Sequence, residues 1–426
     1  MPQVKTWDCQ YALKTRRKRP SGTRKTQDIQ FIGISIKLLA AALLFFILSA
    51  DTCAQQWFPT NANTDINGYI SELPLITFRT DSSFIGFQNI IHGRLNTAWY
   101  PFTGLTVTAA GRLELLTGTD FETLVSPGSN LPLLRQDIGY ADLTGAWPSV
   151  LYGNIDRAFV SFSNNAFVIN AGRQRINWST NLVWNPNDWF NTYNYFDFDY
   201  EERPGTDGLR LIYYFGPVSS LELALKANHN LSQRTYALMY HFNYSGFDYQ
   251  FQGGMFGQDA ALGFSWDGDI LGGGFRGEAS GYLPVLKSSD SFAVQDSAVF
   301  VVALSADYTF SNSLYWLTEA IYNGFGGSAN KSEFVLRTQS ITAKMLIPAT
   351  YMIYSSAAYP FTDLITGTFA VMYPPGQNSY FLGPSATISL FQNVELLILG
   401  QIFFGTDRSA FGQTFSVFGG RLRWSF

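Results

Sequence analysis

The sequence runs to 426 residues, with 28 Lys or Arg against 32 Asp or Glu, two Cys, and a 16% share of aromatic residues. An acidic chain with no basic tract beyond its N-terminal region is no nucleic-acid binder. Cys9 and Cys53 both lie in the first 54 residues, so the rest of the chain has no disulfide framework. No later stretch reaches the roughly 18–20 consecutive apolar residues that a membrane-spanning helix needs.

The N-terminal region carries a basic run (Lys14, Arg16, Arg17, Lys18, Arg19, Arg24 and Lys25), then an apolar core, LLAAALLFFIL, from Leu38 to Leu48. Small residues Thr52 and Ala54 precede Gln55. Basic, apolar and small in that order is the anatomy of a cleaved secretory signal peptide, placed at residues 1–54. An uncleaved N-terminal membrane helix is the competing reading, for which the apolar core is short. The basic region is long enough that translation starting downstream is a further alternative. Cys53 follows SADT, without the Leu and small-residue pattern that lipidation would need. The leader holds nine basic and three acidic residues, so removing it leaves 19 and 29, a net charge near −10. Residues 55–66, QQWFPTNANTDI, read as a periplasmic linker too short to be a plug domain.

From there the pattern is alternation with a period of two. Ile91, Leu95 and Trp99 oppose His92, Arg94 and Asn96; Leu221, Leu223 and Leu225 oppose Glu222, Lys226 and Asn228; Phe247, Tyr249 and Phe251 oppose Asp248, Gln250 and Gln252. Period two is the strand period. The strands are too many, and their apolar faces too aromatic, for one two-layer core. Apolar faces turned to lipid and polar faces turned to a wet lumen account for both, and lipid demands that such a sheet close on itself.

Short turns at 101–104, 163–165, 216–220, 245–246, 267–269, 310–313, 360–363 and 391–393 alternate with longer polar connections at about 117–149, 178–206, 285–297 and 324–348. The intervening segments predict strands at 67–79, 87–100, 104–116, 150–163, 166–177, 207–216, 219–229, 234–245, 247–256, 258–267, 270–284, 298–310, 313–323, 349–360, 362–374, 378–390, 393–404 and 412–426. The expected fold is all-β, a closed antiparallel transmembrane β-barrel over 67–426 with about 18 strands, 16 being the alternative count. Short periplasmic turns and longer outer loops are the usual asymmetry. One conflict arises in AFVINAGRQRINW: keeping Phe167, Ile169 and Ala171 toward lipid also turns Arg173 and Arg175 outward. A bulge at Gly172 that flips both inward is the favoured solution; placement above the hydrocarbon is the other.

In the last segment, FGQTFSVFGGRLRWSF, Phe418, Leu422, Trp424 and Phe426 face one way and Arg421 and Arg423 the other. Here the sequence resembles Gram-negative outer-membrane porins, whose final amphipathic strand ends in an aromatic residue. The stretches NIIHGRLNTAWYPF and GRQRINWSTNLVWNPNDWFN are similar to uncharacterised outer-membrane barrels of the Bacteroidota. The resemblance implies outer-membrane lipid as surroundings, the barrel assembly machinery as a partner through Phe426, small hydrophilic solutes as cargo, and a homo-oligomer as an option.

Two groups of residues are candidates for function. Arg94, Arg112, Arg210, Arg276, Arg421 and Arg423 fall on the lumen face, with Glu114, Glu222, Asp248, Glu278 and Glu395. The connection at 178–206 combines Trp184, Trp189 and Tyr193 with an acidic run, Asp197, Asp199, Glu201 and Glu202, ending at Arg203. Porins of this kind fold one long loop inward, so the expectation is a constriction in which loop carboxylates face wall arginines and set selectivity. A loop folded over the rim is the bland alternative. The rings support a second function, stacking on sugar rings, which competes with their use as the loop's own core. A non-conducting scaffold is the third reading. An outer-membrane enzyme fits poorly, because His92, His229 and His241 stand in no nucleophile or triad spacing. No cofactor or metal is expected; the acidic run is at most a weak calcium candidate.

Overall fold

An alternating segment sets its backbone N–H and C=O groups edgewise and is stable only beside a partner strand. A computed structural model describes residues 63–79, 85–118, 149–192, 195–196, 203, 205–230, 233–285, 298–326, 341–406 and 409–426. The leader at 1–54 and all but the end of the linker lie outside the described residues. The strands are β1 (Thr64–Arg79), β2 (Ile85–Phe102), β3 (Leu105–Gly118), β4 (Ser149–Ser163), β5 (Phe167–Gln174), β6 (Thr206–Gly216), β7 (Ser219–Lys226), β8 (Thr235–Tyr244) and β9 (Phe247–Phe256). They continue as β10 (Asp259–Ile270), β11 (Gly273–Pro284), β12 (Val299–Thr309), β13 (Tyr315–Asn323), β14 (Tyr351–Thr362), β15 (Ile365–Tyr373), β16 (Tyr380–Phe391), β17 (Val394–Phe404) and β18 (Phe415–Ser425).

Each strand pairs antiparallel with its neighbours in the chain, and β1 pairs with β18 as well as β2. The architecture is a closed antiparallel barrel of 18 strands, and the count of 16 is wrong. Closure leaves no strand edge open. The seam extends one residue past β18: Gly68 and Phe426 exchange backbone hydrogen bonds of 3.0 and 2.9 Å.

The two faces sort as the alternation requires. Along β13, Trp316, Thr318 and Ala320 are exposed on the outside, and Leu317, Glu319, Ile321 and Asn323 are buried inside. Leu95, Leu113, Ile155 and Leu304 are exposed outward on their strands, while Arg94, Arg112, Asp156 and Ser305 are buried inward. A charge turned to hydrocarbon would cost about 2–4 kcal/mol at mid-membrane.

Two expectations need correcting. The turn expected at 267–269 is strand; the chain reverses at Leu271–Gly272, both with positive φ (57° and 82°), as the tight primed hairpin turns require. The extra residues stay in the ladder because Asp267 Oδ1 meets Arg276 Nε at 3.0 Å and the Trp266 ring lies over Gly277, where a Cβ would come within 2.3 Å of it. The second correction concerns Gly172. Its φ is +119°, yet pairing through it is continuous on both sides. The irregularity sits in the next strand, where Asp156 of β4 is skipped between the Ala110–Arg157 and Gly111–Ile155 pairs. Arg173 is nevertheless buried: it forks onto both oxygens of Asp207, at 2.8 and 2.6 Å, and donates to the Ile155 carbonyl at 3.0 Å.

Candidate functional site

After β5 the period of two stops. Residues 176–192 hold Asn, Pro and Trp where a strand would need alternation, and the chain leaves the wall. Short-range bonds make the segment compact: Asp188 N–H donates to the Asn185 carbonyl (3.1 Å), Asn191 N–H to Asp188 Oδ1 (2.9 Å), and Thr192 Oγ1 to the Asp188 carbonyl (2.7 Å). Asn and Asp favour such turns because their side chains can replace a backbone partner.

Two carboxylates of the inner wall hold this segment by its backbone. Glu278 on β11 accepts N–H groups from Thr180 (2.5 Å), Asn181 (2.7 Å) and Asn187 (2.9 Å). Glu319 on β13 accepts those of Val183 (3.1 Å) and Trp184 (2.6 Å). Buried N–H groups must find acceptors, and a charged acceptor roughly doubles the strength of the bond. Trp178 Nε1 donates to Glu222 Oε1 on β7 at 2.6 Å, and Trp189 Nε1 to Ser280 Oγ on β11 at 3.1 Å. Further along, Gln401 of β17 donates to the Phe196 carbonyl at 3.1 Å, and the Phe196 ring packs on Phe381, Phe403 and Phe411. The described part of the connection thus touches the interior wall from β7 to β17.

The expected polarity is reversed over these residues, with carboxylates on the wall and donors on the loop. Trp178, Trp184 and Trp189 are 2%, 4% and 2% exposed, so none of these three rings offers a broad face to a solute. Their burial corrects the sugar-platform expectation for Trp184 and Trp189. They belong to a core shared with Val301, Leu317, Met352 and Tyr354 of the wall. Tyr193, Asp197, Asp199, Glu201 and Glu202 lie outside the described residues. Arg203 Nη1 stands 3.6 Å from Asp188 Oδ2, and its carbonyl accepts from Arg157 Nη2 at 2.8 Å. Burial pushes the Asp188 carboxyl above the usual range, opposed by the Arg203 charge and the Asn191 N–H.

Two contributions escape the sequence reading. Glu319 could have been found from parity, since it lies opposite in phase to Trp316 on β13. The other is a second inward segment between β13 and β14, where Ala343, Leu346, Ile347 and Ala349 are buried and Lys344 Nζ reaches Asp259 Oδ2 of β10 at 2.6 Å. Its signal is a short apolar run inside a connection that otherwise reads as polar.

The wall arginines all lie inward, in named pairings. Arg94 bonds Asp156; Arg112 meets Glu114 at 3.1 Å and Asp156 at 3.5 Å. Arg210 forks onto Glu222 (2.6 and 2.8 Å). Arg276 lies between Asp267 and Asp307. Arg421 approaches Glu395 at 3.5 Å, and the Arg423 guanidinium sits 4.2 Å from the Tyr69 ring centroid. Among the described residues no group of three or more His, Cys, Asp or Glu is arranged to hold a metal ion.

No family model matches the chain, and no curated protein matches its sequence. Solved structures do match in fold. OccAB4 of Acinetobacter baumannii superposes with a TM-score of 0.55 at 8% identity, over 87% of this chain and 100% of that one. OpdQ of Pseudomonas aeruginosa gives 0.55 at 6% identity, over 86% and 99%. The outer membrane protein OpdK of Pseudomonas aeruginosa gives 0.51 at 9%, over 85% and 98%. At such low identity the superpositions show a shared barrel fold and no more. The three come from Acinetobacter and Pseudomonas and lend no support to the resemblance to Bacteroidota barrels.

Proposed function

We propose that the protein is a passive diffusion channel for small hydrophilic solutes in the outer membrane of a Gram-negative bacterium. The observation that carries this reading is a closed barrel with apolar side chains outside, ionic and amide side chains inside, and a chain segment fastened across its interior wall. Only a closed sheet satisfies its backbone in lipid, and charged residues facing inward imply a wet lumen. OpdK, which the chain matches in fold, is an outer membrane protein.

The connection at 178–206 is the narrowing element in this reading. What supports it is the set of amide bonds to Glu278 and Glu319, which hold residues 180–187 inside the barrel outline. Export by the leader at 1–54, insertion by the barrel assembly machinery through Phe426, and homo-oligomer formation complete the proposal, and all three rest on the sequence. A Bacteroidota origin rests on the two quoted stretches alone. No catalytic role is proposed.

Planar-bilayer recording of refolded protein tests the channel. Discrete conductance steps are expected; a barrel that inserts and never conducts would make it a scaffold.

A further inference from the structure

Arg94 of β2 and Arg112 of β3 are direct cross-strand partners. Like charges in that relation repel, and both side chains are buried, where an uncompensated charge is untenable. Compensation comes from the next strand, β4. Asp156 has no partner on β3, because the ladder skips it between the Ala110–Arg157 and Gly111–Ile155 pairs. Asp156 keeps the inward parity of Asn154, the partner of Arg112, and its side chain is buried at 1% exposure. Its Oδ2 bonds Arg94 Nη1 and lies 3.5 Å from Arg112 Nε, while Asn154 Nδ2 donates to Oδ1 at 3.0 Å. Glu114 Oε1 adds a second carboxylate to Arg112, 3.1 Å from Nη1. Two guanidiniums therefore face two carboxylates.

The same compensation recurs around the lumen. Arg210 pairs with Glu222, Arg276 with Asp267 and Asp307, and Arg421 with Glu395. A row of bare arginines would attract anions, since rings of one charge set ion preference. A row of contact pairs presents dipoles, whose field falls away within a few ångströms of the wall.

We propose that Asp156 is the residue that removes anion preference from the arginine wall, so that the channel takes uncharged polar solutes and passes small ions with little regard to sign. This rests on the channel reading above and goes beyond it by naming the solute class and the residue that sets it.

The test is the reversal potential of refolded protein in a planar bilayer under a potassium chloride gradient. Wild-type chloride-to-potassium permeability within about threefold of unity is expected, and Asp156→Asn should raise it several-fold toward chloride. Asp156→Glu should stay near the wild type. If Asp156→Asn does not fold, Glu114→Gln gives the reading, with a smaller shift in the same direction. Strong anion preference in the wild type, or no shift in the folded variant read, overturns the inference. A wild type that inserts without conducting overturns the channel reading itself, a separate result.

Discussion

The backbone N–H of Trp184 points across the barrel interior to Glu319 on β13, at 2.6 Å. The two residues are 135 positions apart in the chain. With the Glu278 bonds to Thr180, Asn181 and Asn187, this contact makes the segment a fastened part of the wall.

Removing these acceptors should loosen the segment. Each buried N–H left unpaired costs about 1–3 kcal/mol, so Glu278→Ala, which orphans three, should be the harsher single change. The milder pair Glu278→Gln and Glu319→Gln keeps an acceptor oxygen at each site and removes the charge. Single-channel recordings of the double variant should show larger mean conductance and more open-channel noise. A trace matching the wild type would mean that these bonds do not hold the narrowing element.

The buried tryptophans give a second expectation. Trp184→Ala and Trp189→Ala remove large core side chains, a class of change that costs about 3–5 kcal/mol. Both should lower the thermal unfolding midpoint in detergent, and neither should alter current block by added sugars at temperatures where the barrel stays folded. Sugar block that vanishes in a folded variant would restore the stacking role that burial argues against.

How much of this is legible in the sequence follows from range. The strands are, because alternation answers locally to lipid on one side and water on the other: Phe247, Tyr249 and Phe251 against Asp248, Gln250 and Gln252 need no partner to be read. Segment 176–192 has no period to read, and what buries its rings comes from β7, β11, β13 and β14, far along the chain. Trp184 therefore looks like an exposed platform until Tyr354 and Glu319 are beside it. The burial of Arg173 is out of reach for the same reason, since its partner Asp207 is on β6. The turn at Leu271–Gly272 is missed because DGD is the stronger turn signal, and the Asp267–Arg276 pair and the Trp266 ring over Gly277 that keep it in the strand lie across the hairpin.

Asp188 supplies a pH dependence. Burial raises its carboxyl pKa above the ordinary value of 3.8 despite the nearby Arg203. A raised acid contributes stability that is fully present below its unfolded pKa and is lost as pH rises through the folded one. Ionisation of this side chain therefore works against the fold. Asp188→Asn keeps an oxygen for the Asn191 N–H and removes the charge, so its stability relative to the wild type should increase between about pH 3 and pH 7. Thermal unfolding of both proteins at the two pH values measures it; a constant difference would show that Asp188 titrates normally.

The seam gives the last expectation. Gly68 exchanges backbone bonds with Phe426, and a Cβ at Gly68 would sit 2.3 Å from the Arg94 carbonyl oxygen and 2.7 Å from Phe426 Cζ. The ring could swing away; the carbonyl cannot, because it belongs to the β1–β2 ladder, where Gly68 and Arg94 are near neighbours. Gly68→Ala should therefore push β1 off β2 and lower the temperature at which the folded barrel loses its heat resistance on gels. Phe426→Ala alone should have a smaller effect, since it removes side-chain packing and leaves the backbone pair intact. Decisive is the double variant: combining Phe426→Ala with Gly68→Ala should fail to rescue the loss, because the carbonyl clash remains. Full rescue would mean that the ring alone demands a glycine there.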